Sequence, residues 1–377
     1  MVFISAPPAR GLIAAAGLEF HSVDLRGVTH ETPSPRHVKR FHSVAIRQRH
    51  TERMLDVGVA AIRSANVQAL VVDEADFASA SIADSLGIPF ITLSTSRPLF
   101  LDPVLPPIVV GWTYSERESV RRRNAAANAA VRRLLAPTLA VVNGYRSRCG
   151  LPVLGDINDI FSRRAVITQL PAALEFPGNP ADLPLHYVGP LIDQAARYRV
   201  DFPWTDLSGR PFVYTSLGTI RNDQTGLFSF IAEACARVDL ELVISLGGGR
   251  AEPASLGRLP GDPVVVHYAP QLELLKLASL AVTHAGLNTT LESLREGVPL
   301  VAIPITDDQP GIAARLRSVR AAEVVPLRQL STDRLECALR QVAFREEYRT
   351  ACQRLGRTLR LVDGTERAAD IVQASLS

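Results

Sequence analysis

Short apolar runs alternate with amphipathic stretches from one end of the chain to the other. That pattern is expected of βα units feeding a parallel sheet with helices on both faces. In the first half, Val2–Ser5, Phe20–Val23, Ala69–Val72, Phe90–Leu93 and Ala165–Thr168 read as strands. Pro8–Ala16, Arg36–Arg63 and Phe77–Leu86 read as helices between them, and the Arg- and Ala-rich residues 115–149 as a helical excursion. In the second half Phe212–Thr215, Leu242–Ser245, Val264–His267, Leu280–Thr283, Leu300–Ile303 and Glu323–Val325 read as strands, most of them separated by helical segments. Between the halves, Gly189–Pro211 holds three prolines and two glycines with little periodicity, the mark of a linker. The pattern predicts an α/β protein of two doubly wound domains: a first over 1–195, a linker over 196–210, a second over 211–360 and a terminal segment over 361–377. Thr365–Leu376 of that segment reads as a helix.

Length agrees, since 377 residues suggest two domains at ~150 residues each. With 47 % hydrophobic and 21 % charged residues the chain has the balance of a protein that builds a large core, which excludes global disorder. A net charge of +3 is too small to argue for nucleic acid as a partner. Among the 41 basic residues all but Lys39 and Lys276 are arginines, a surplus spread along the chain rather than gathered into a site. Cys149, Cys235, Cys337 and Cys352 lie far apart without Cys-x-x-Cys spacing, so neither a zinc cage nor a disulfide framework is written here, and no metal is expected. No apolar run of ~18 residues and no basic leader occurs, which makes the cytoplasm the default location. The proline-broken apolar stretch 98–112, followed by Arg117, Arg121, Arg122 and Arg123, reads either as a core loop and solvated helix or as a path beside the inner membrane face.

The chemistry concentrates in residues 267–310, HYAPQLELLKLASLAVTHAGLNTTLESLREGVPLVAIPITDDQP. A strand ending at Thr283 runs through His284, Ala285 and Gly286 into a helix starting near Leu287. The first N–H groups of such a helix lack partners and its dipole presents a positive end, so the turn suits a phosphate. Gly286 permits close backbone approach, and Asn288, Thr289 and Thr290 add side-chain donors. One βα unit later, Asp307, Asp308 and Gln309 follow the strand that ends at Ile303. An acceptor-only carboxylate beside an amide matches the vicinal hydroxyls of a sugar. His-Ala-Gly alone would more often be a structural turn, and Gly247–Arg250 (GGGR) reads as a flexible connection; the ordered combination across two units carries the signal.

This segment, together with Val213–Thr219 (VYTSLGT), resembles the donor-binding signature of the family 1 glycosyltransferases, the UDP-glycosyltransferase superfamily, which has the two-domain GT-B fold. The likeness extends more weakly over nearly the whole chain. The middle region, with Pro106, Pro107 and the Arg-rich helices ending at Gly150–Pro152, is similar to bacterial carotenoid glucosyltransferases of the zeaxanthin type. The resemblance implies that Tyr268 stacks on the nucleotide base beside Gln271 and that Glu292 holds the ribose hydroxyls. It implies that His284, Gly286, Asn288 and Thr289 cradle the diphosphate, that Gly218 and Thr219 close on it, and that Asp308 with Gln309 grips the sugar. Leu287 departs from the tryptophan common in plant members. A final helix crossing back to the first domain is implied as well.

The activity so implied is transfer of a hexose, glucose first, from a UDP-sugar to a hydroxyl of a lipophilic small molecule such as a carotenoid, polyketide or phenolic. It proceeds with inversion, without a metal or other cofactor. Family members carry a general-base histidine after the first strand, oriented by an aspartate to which Asp73 corresponds. The opening VFISAPP resembles the family's second strand, so the first strand, the first helix and that histidine are expected upstream of Met1. His21, His30, His37, His42 and His50 read as solvated residues. Asp73 could instead cap the helix near Phe77. A nucleotide-sugar-binding protein without turnover and an epimerase acting on the UDP-sugar stay open as alternatives.

Overall fold

The computed structural model of the chain describes residues 1–25, 39–177, 183–192, 200–218, 226–248 and 251–376. Its strands are β1 (Val2–Ser5), β2 (Glu19–Ser22), β3 (Leu70–Asp73), β4 (Phe90–Ser94), β5 (Val166–Thr168), β6 (Leu185–Tyr187), β7 (Phe212–Ser216), β8 (Glu241–Ser245), β9 (Val264–Val266), β10 (Leu280–Thr283), β11 (Leu300–Ala302) and β12 (Ala322–Val324). Every ladder among them is parallel. The periodic runs of the sequence reappear with ends moved by a residue or two. Strand β6 was not anticipated, because Leu185, His186 and Tyr187 do not form an apolar run.

The second lobe is a six-stranded sheet in the order β12-β11-β10-β7-β8-β9. From β7 the chain builds outward on one side through β8 and β9, then returns to build the other through β10, β11 and β12. The reversal puts a crevice at the carboxyl ends of β7 and β10, the place where such sheets receive ligands. Both sheet faces are covered. Tyr214, Leu274, Leu291 and Ile312 pack on one, and Phe228, Ile231, Leu339 and Tyr348 on the other.

In the first lobe β3-β4-β5-β6 form one sheet and β1-β2 another. Among the described residues β3 pairs only with β4 and β1 only with β2, and Val71 and Phe3 are exposed. The terminal helix Gly364–Leu376 returns to this lobe, laying Ala368, Ile371 and Val372 on Ile91, Ile167 and Val188. Gly364 passes so close to the Pro190 carbonyl that a β-carbon there would collide with it. The long helix Glu118–Arg148 has the length and composition of a membrane span, yet one side is used for packing. On that side Asn124 donates to the Val104 carbonyl and Asn128 to those of Asp102 and Leu105. Asp76, not Asp73, caps the helix Ser79–Leu86, accepting from the Ala78 and Ser79 amides.

The lobes are joined by a buried ion cluster. Glu175 accepts from Arg97 Nε at 3.1 Å and from Arg315 Nη2 at 2.5 Å, with the Arg97, Arg315 and Glu175 side chains 2 %, 0 % and 6 % exposed. Burial by itself would raise the Glu175 pKa, but the guanidinium groups of Arg97 and Arg315 hold it below the ordinary value. Burial pushes Arg315 down to about 10, with Glu175 pulling the other way. Arg315 also lies over the Phe176 ring, 4.4 Å from its centroid. Arg315 belongs to the helix Gln309–Ser318 of the second lobe, and Arg97 and Glu175 to loops of the first. Gly311 in that helix lies against the Ile108 carbonyl, where no β-carbon would fit.

Removing the only carboxylate of this cluster leaves two guanidinium groups buried without compensation. Glu175→Gln should therefore lower the unfolding free energy in urea by about 3–5 kcal/mol. A loss below about 1 kcal/mol would show that the cluster does not hold the lobes together.

Candidate active site

A cleft of about 1190 Å³ opens between the lobes at the carboxyl ends of their strands. Its second-lobe side is made by two turns. The first follows β10: Ala285 adopts φ +66°, and the helix Leu287–Arg295 begins at Gly286 with no side chain capping it. A non-glycine residue in the left-handed region is uncommon, and here it turns the chain into a helix whose first residues, Leu287, Asn288 and Thr289, line the cleft. The second turn follows β11, where Asp307 has φ +55° and the helix Gln309–Ser318 begins after Asp308. Two adjacent crossovers thus each use one strained residue to aim a helix start at the same space.

His284 stands between two glycines. A β-carbon at Gly218 would come within 2.9 Å of the imidazole and one at Gly286 closer still, so both positions must be glycine for the ring to lie flat in the crevice. Burial lowers the His284 pKa to about 4, only partly offset by a hydrogen bond with the Ser216 backbone. At neutral pH the ring is uncharged and offers a hydrogen bond rather than a cation.

Around it the residues singled out from the sequence gather. Asn288 Oδ1 accepts from Gln169 Nε2 of the first lobe at 2.8 Å. Thr289 lines the cleft, and Leu287 lines it while its side chain is buried in the lobe's core. Glu292, 1 % exposed, accepts from Gln271 Nε2 at 2.5 Å. Tyr268 is half-exposed on the same wall, its ring over Gly248. Asp308 accepts a hydrogen bond from the Ser96 hydroxyl across the cleft. Burial raises its pKa, which that bond partly offsets. Gln309 uses its carbonyl oxygen on the Ile305 and Thr306 amides at 2.9 Å each, so it is the amide NH₂ that it can turn to a ligand. Thr219 lies outside the described residues, as do His30 and His37.

Asp73, at the end of β3, lines the first-lobe side and accepts from the Ala75 amide at 2.8 Å. Among the described residues His284 is the one histidine on the cleft wall. His21 instead meets Ser64 Oγ at 2.8 Å away from it. Sequence reasoning passed over Glu74, which burial raises to about 7 although Ser94 Oγ at 2.6 Å and the Leu99 amide at 2.8 Å both donate to it. It also passed over Ser96 and Arg47 on the first-lobe wall and Gln169, the partner of Asn288, while Gly247, read from the sequence as part of a flexible connection, lines the cleft. All four cysteines are free thiols, Cys149 and Cys337 exposed and Cys235 and Cys352 buried. Among the described residues no group of His, Cys, Asp and Glu has the geometry of a metal site.

A doubly wound sheet with an uncapped helix start, a neutral imidazole and a carboxylate-amide corner in one interlobe cleft is the layout of a nucleotide-sugar transferase of the GT-B class. Comparison with known proteins agrees. Residues 173–360 match the family model described as UDP-glucoronosyl and UDP-glucosyl transferase. The chain is 32 % identical to a zeaxanthin glucosyltransferase of Pseudescherichia vulneris over 82 % of this chain and 74 % of the relative. It is 28 % identical to the zeaxanthin glucosyltransferase of Pantoea ananas over 99 % of this chain and 88 % of the relative. The crystal structure of the glycotransferase of kitacinnamycin superposes with a TM-score of 0.75 at 22 % identity, over 100 % of this chain and 91 % of that one. The chain belongs to the family 1 glycosyltransferases, the UDP-glycosyltransferases, and is an enzyme that transfers a sugar.

The buried neutral histidine has a consequence for stability. Its folded pKa of about 4 lies below the unfolded value near 6.5, so the unfolded chain takes the proton first. Stability from this residue is complete above about pH 6.5 and is lost as pH falls toward 4. Between pH 7 and 4.5 the wild type should lose on the order of 2–3 kcal/mol more than His284→Asn in denaturant titrations. Parallel losses would show that His284 is not held neutral.

Proposed function

We propose that this enzyme moves a hexose, glucose in the first instance, from a UDP-sugar to a hydroxyl of a lipophilic small molecule, with inversion at the anomeric carbon. The observation that carries the reading is the convergence of His284, the Gly286 helix start and the Asp308–Gln309 corner in a single cleft. The family assignment supports the donor class. The two relatives named as zeaxanthin glucosyltransferases support an apolar acceptor, as do Leu99, half-exposed Val109 and exposed Trp204 along the cleft.

In this reading the diphosphate lies over the Leu287–Thr289 amides, with His284, Thr289 and the Asn288 amide group as further donors, and Tyr268 stacks on the base. As the bond from the anomeric carbon to the phosphate oxygen breaks, negative charge grows on the departing UDP. Fixed N–H dipoles stabilise it without reorganising. Asp308 and the Gln309 amide hold the hexose hydroxyls and so orient the anomeric carbon toward the first lobe. The acceptor oxygen attacks from the face opposite the phosphate, which inverts the centre. Its proton leaves toward the carboxylates that end β3, where Asp73 is the exposed member and Glu74 the buried one. At a pKa of about 7 Glu74 is half ionised under neutral conditions, the range in which a carboxylate can both take and release a proton.

Purified protein with UDP-glucose and zeaxanthin should yield a glucoside and UDP. Asp308→Ala should lower turnover by about a hundredfold or more while UDP affinity in calorimetry stays within a few fold. Asp73→Asn should lower kcat by about 10²–10⁴ with KM for UDP-glucose little changed. UDP binding without glucoside formation on zeaxanthin or on a phenol such as 4-nitrophenol would overturn the proposed acceptor class. A C4-changed UDP-hexose as product would point to epimerisation.

A further inference from the structure

Beneath the nucleoside end of the cleft lies a hydrogen-bond relay that reaches from the sheet interior to the cleft wall. Tyr214, in the middle of β7 and 1 % exposed, stands in register between Val243 of β8 and Ala281 of β10. Its hydroxyl is 2.9 Å from Gln271 Oε1, at the first turn of the helix Gln271–Leu277. Gln271 Nε2 in turn is 2.5 Å from Glu292 Oε2 and 3.5 Å from Thr289 Oγ1. The direction of this chain is fixed by chemistry. A carboxylate only accepts, so the NH₂ of Gln271 must face Glu292, and its carbonyl oxygen must then face a donor, which is the tyrosine hydroxyl. Burial keeps that hydroxyl protonated by raising its pKa, while Ser245 and Ser216 hydrogen-bond to it.

We propose that Tyr214 is a positioning residue that, through Gln271, holds the Glu292 carboxylate in the orientation that receives a ribose 2′,3′-diol, making this site selective for ribonucleoside over 2′-deoxyribonucleoside diphosphates. The inference rests on the donor reading above and extends it to the sugar of the nucleotide. A carboxylate 1 % exposed to water is costly to leave half-matched. A vicinal diol offers it two donors and a 2′-deoxyribose only one. Sites built to hydrogen-bond a hydroxyl discriminate strongly against ligands lacking it, because their own polar groups are left unpaired. That discrimination requires the carboxylate plane to be held still. Without the tyrosine hydroxyl the Gln271 amide can rotate, and with it the bond that fixes Glu292.

The test is isothermal calorimetry of the full chain with UDP, dUDP and dTDP. Wild type should bind UDP at least about tenfold more tightly than dUDP. Tyr214→Phe keeps the ring and removes only the hydroxyl. It should weaken UDP about five- to tenfold and dUDP little, so the ribose preference collapses. Gln271→Met breaks the same relay at a less buried point and should do likewise if the tyrosine variant fails to fold. A uniform loss for UDP and dUDP would mean that Tyr214 acts only through the core and would overturn the proposal, as would equal binding of UDP and dUDP by wild type. Absence of binding of all three nucleotides to folded wild type would overturn the donor reading itself, and this inference with it.

Discussion

The cleft has its present width because one carboxylate holds two arginines. Glu175 binds Arg97 beside it in the first lobe and Arg315 in the second, all three out of water. Arg315 lies on the helix whose start carries Asp308 and Gln309, so the sugar-holding corner is anchored to the lobe opposite its own sheet. The contacts of Ser96 with Asp308 and Gln169 with Asn288 depend on that anchoring. Two loops of the first lobe therefore reach the residues expected to touch the donor, and closure and donor geometry become one problem.

The chemistry divides along the cleft. Where the diphosphate is proposed to lie the groups are neutral donors: peptide N–H, an imidazole kept uncharged by burial, hydroxyls and amides. Toward the proposed hexose and acceptor end lie Asp73, Glu74, Asp307 and Asp308 around Arg47, whose own pKa burial lowers and Asp307, Glu74 and Asp73 raise again. A leaving group that gains negative charge meets donors. An acceptor hydroxyl that must lose a proton meets carboxylates.

Much of this was legible in the chain. The β10 turn and the β11 turn lie within one continuous stretch, each follows an apolar strand, and their polar residues are local in sequence. Gly286 was identifiable as a close-approach position, whereas the packing of Gly218 against His284 was not. The first-lobe partners were not, since Ser96 meets Asp308 across 212 positions and Gln169 meets Asn288 across 119. No periodicity encodes such distances. Glu74 escaped notice because nothing local in the sequence marks it as buried, and only the fold takes it out of water. The helix cap went to Asp76 rather than Asp73 by a three-residue difference that the sequence pattern does not resolve, and β6 carries a histidine at its centre where an apolar run was sought.

The central claim is that two neighbouring crossovers grip one activated sugar along its length. A crystal structure of the protein with UDP-glucose tests it most directly. The account predicts the diphosphate over the amides of Leu287–Thr289 beside His284, the ribose at Glu292 and the hexose against Asp308 and the Gln309 amide. Density for the nucleotide elsewhere, or with the hexose directed toward Tyr268, would contradict it.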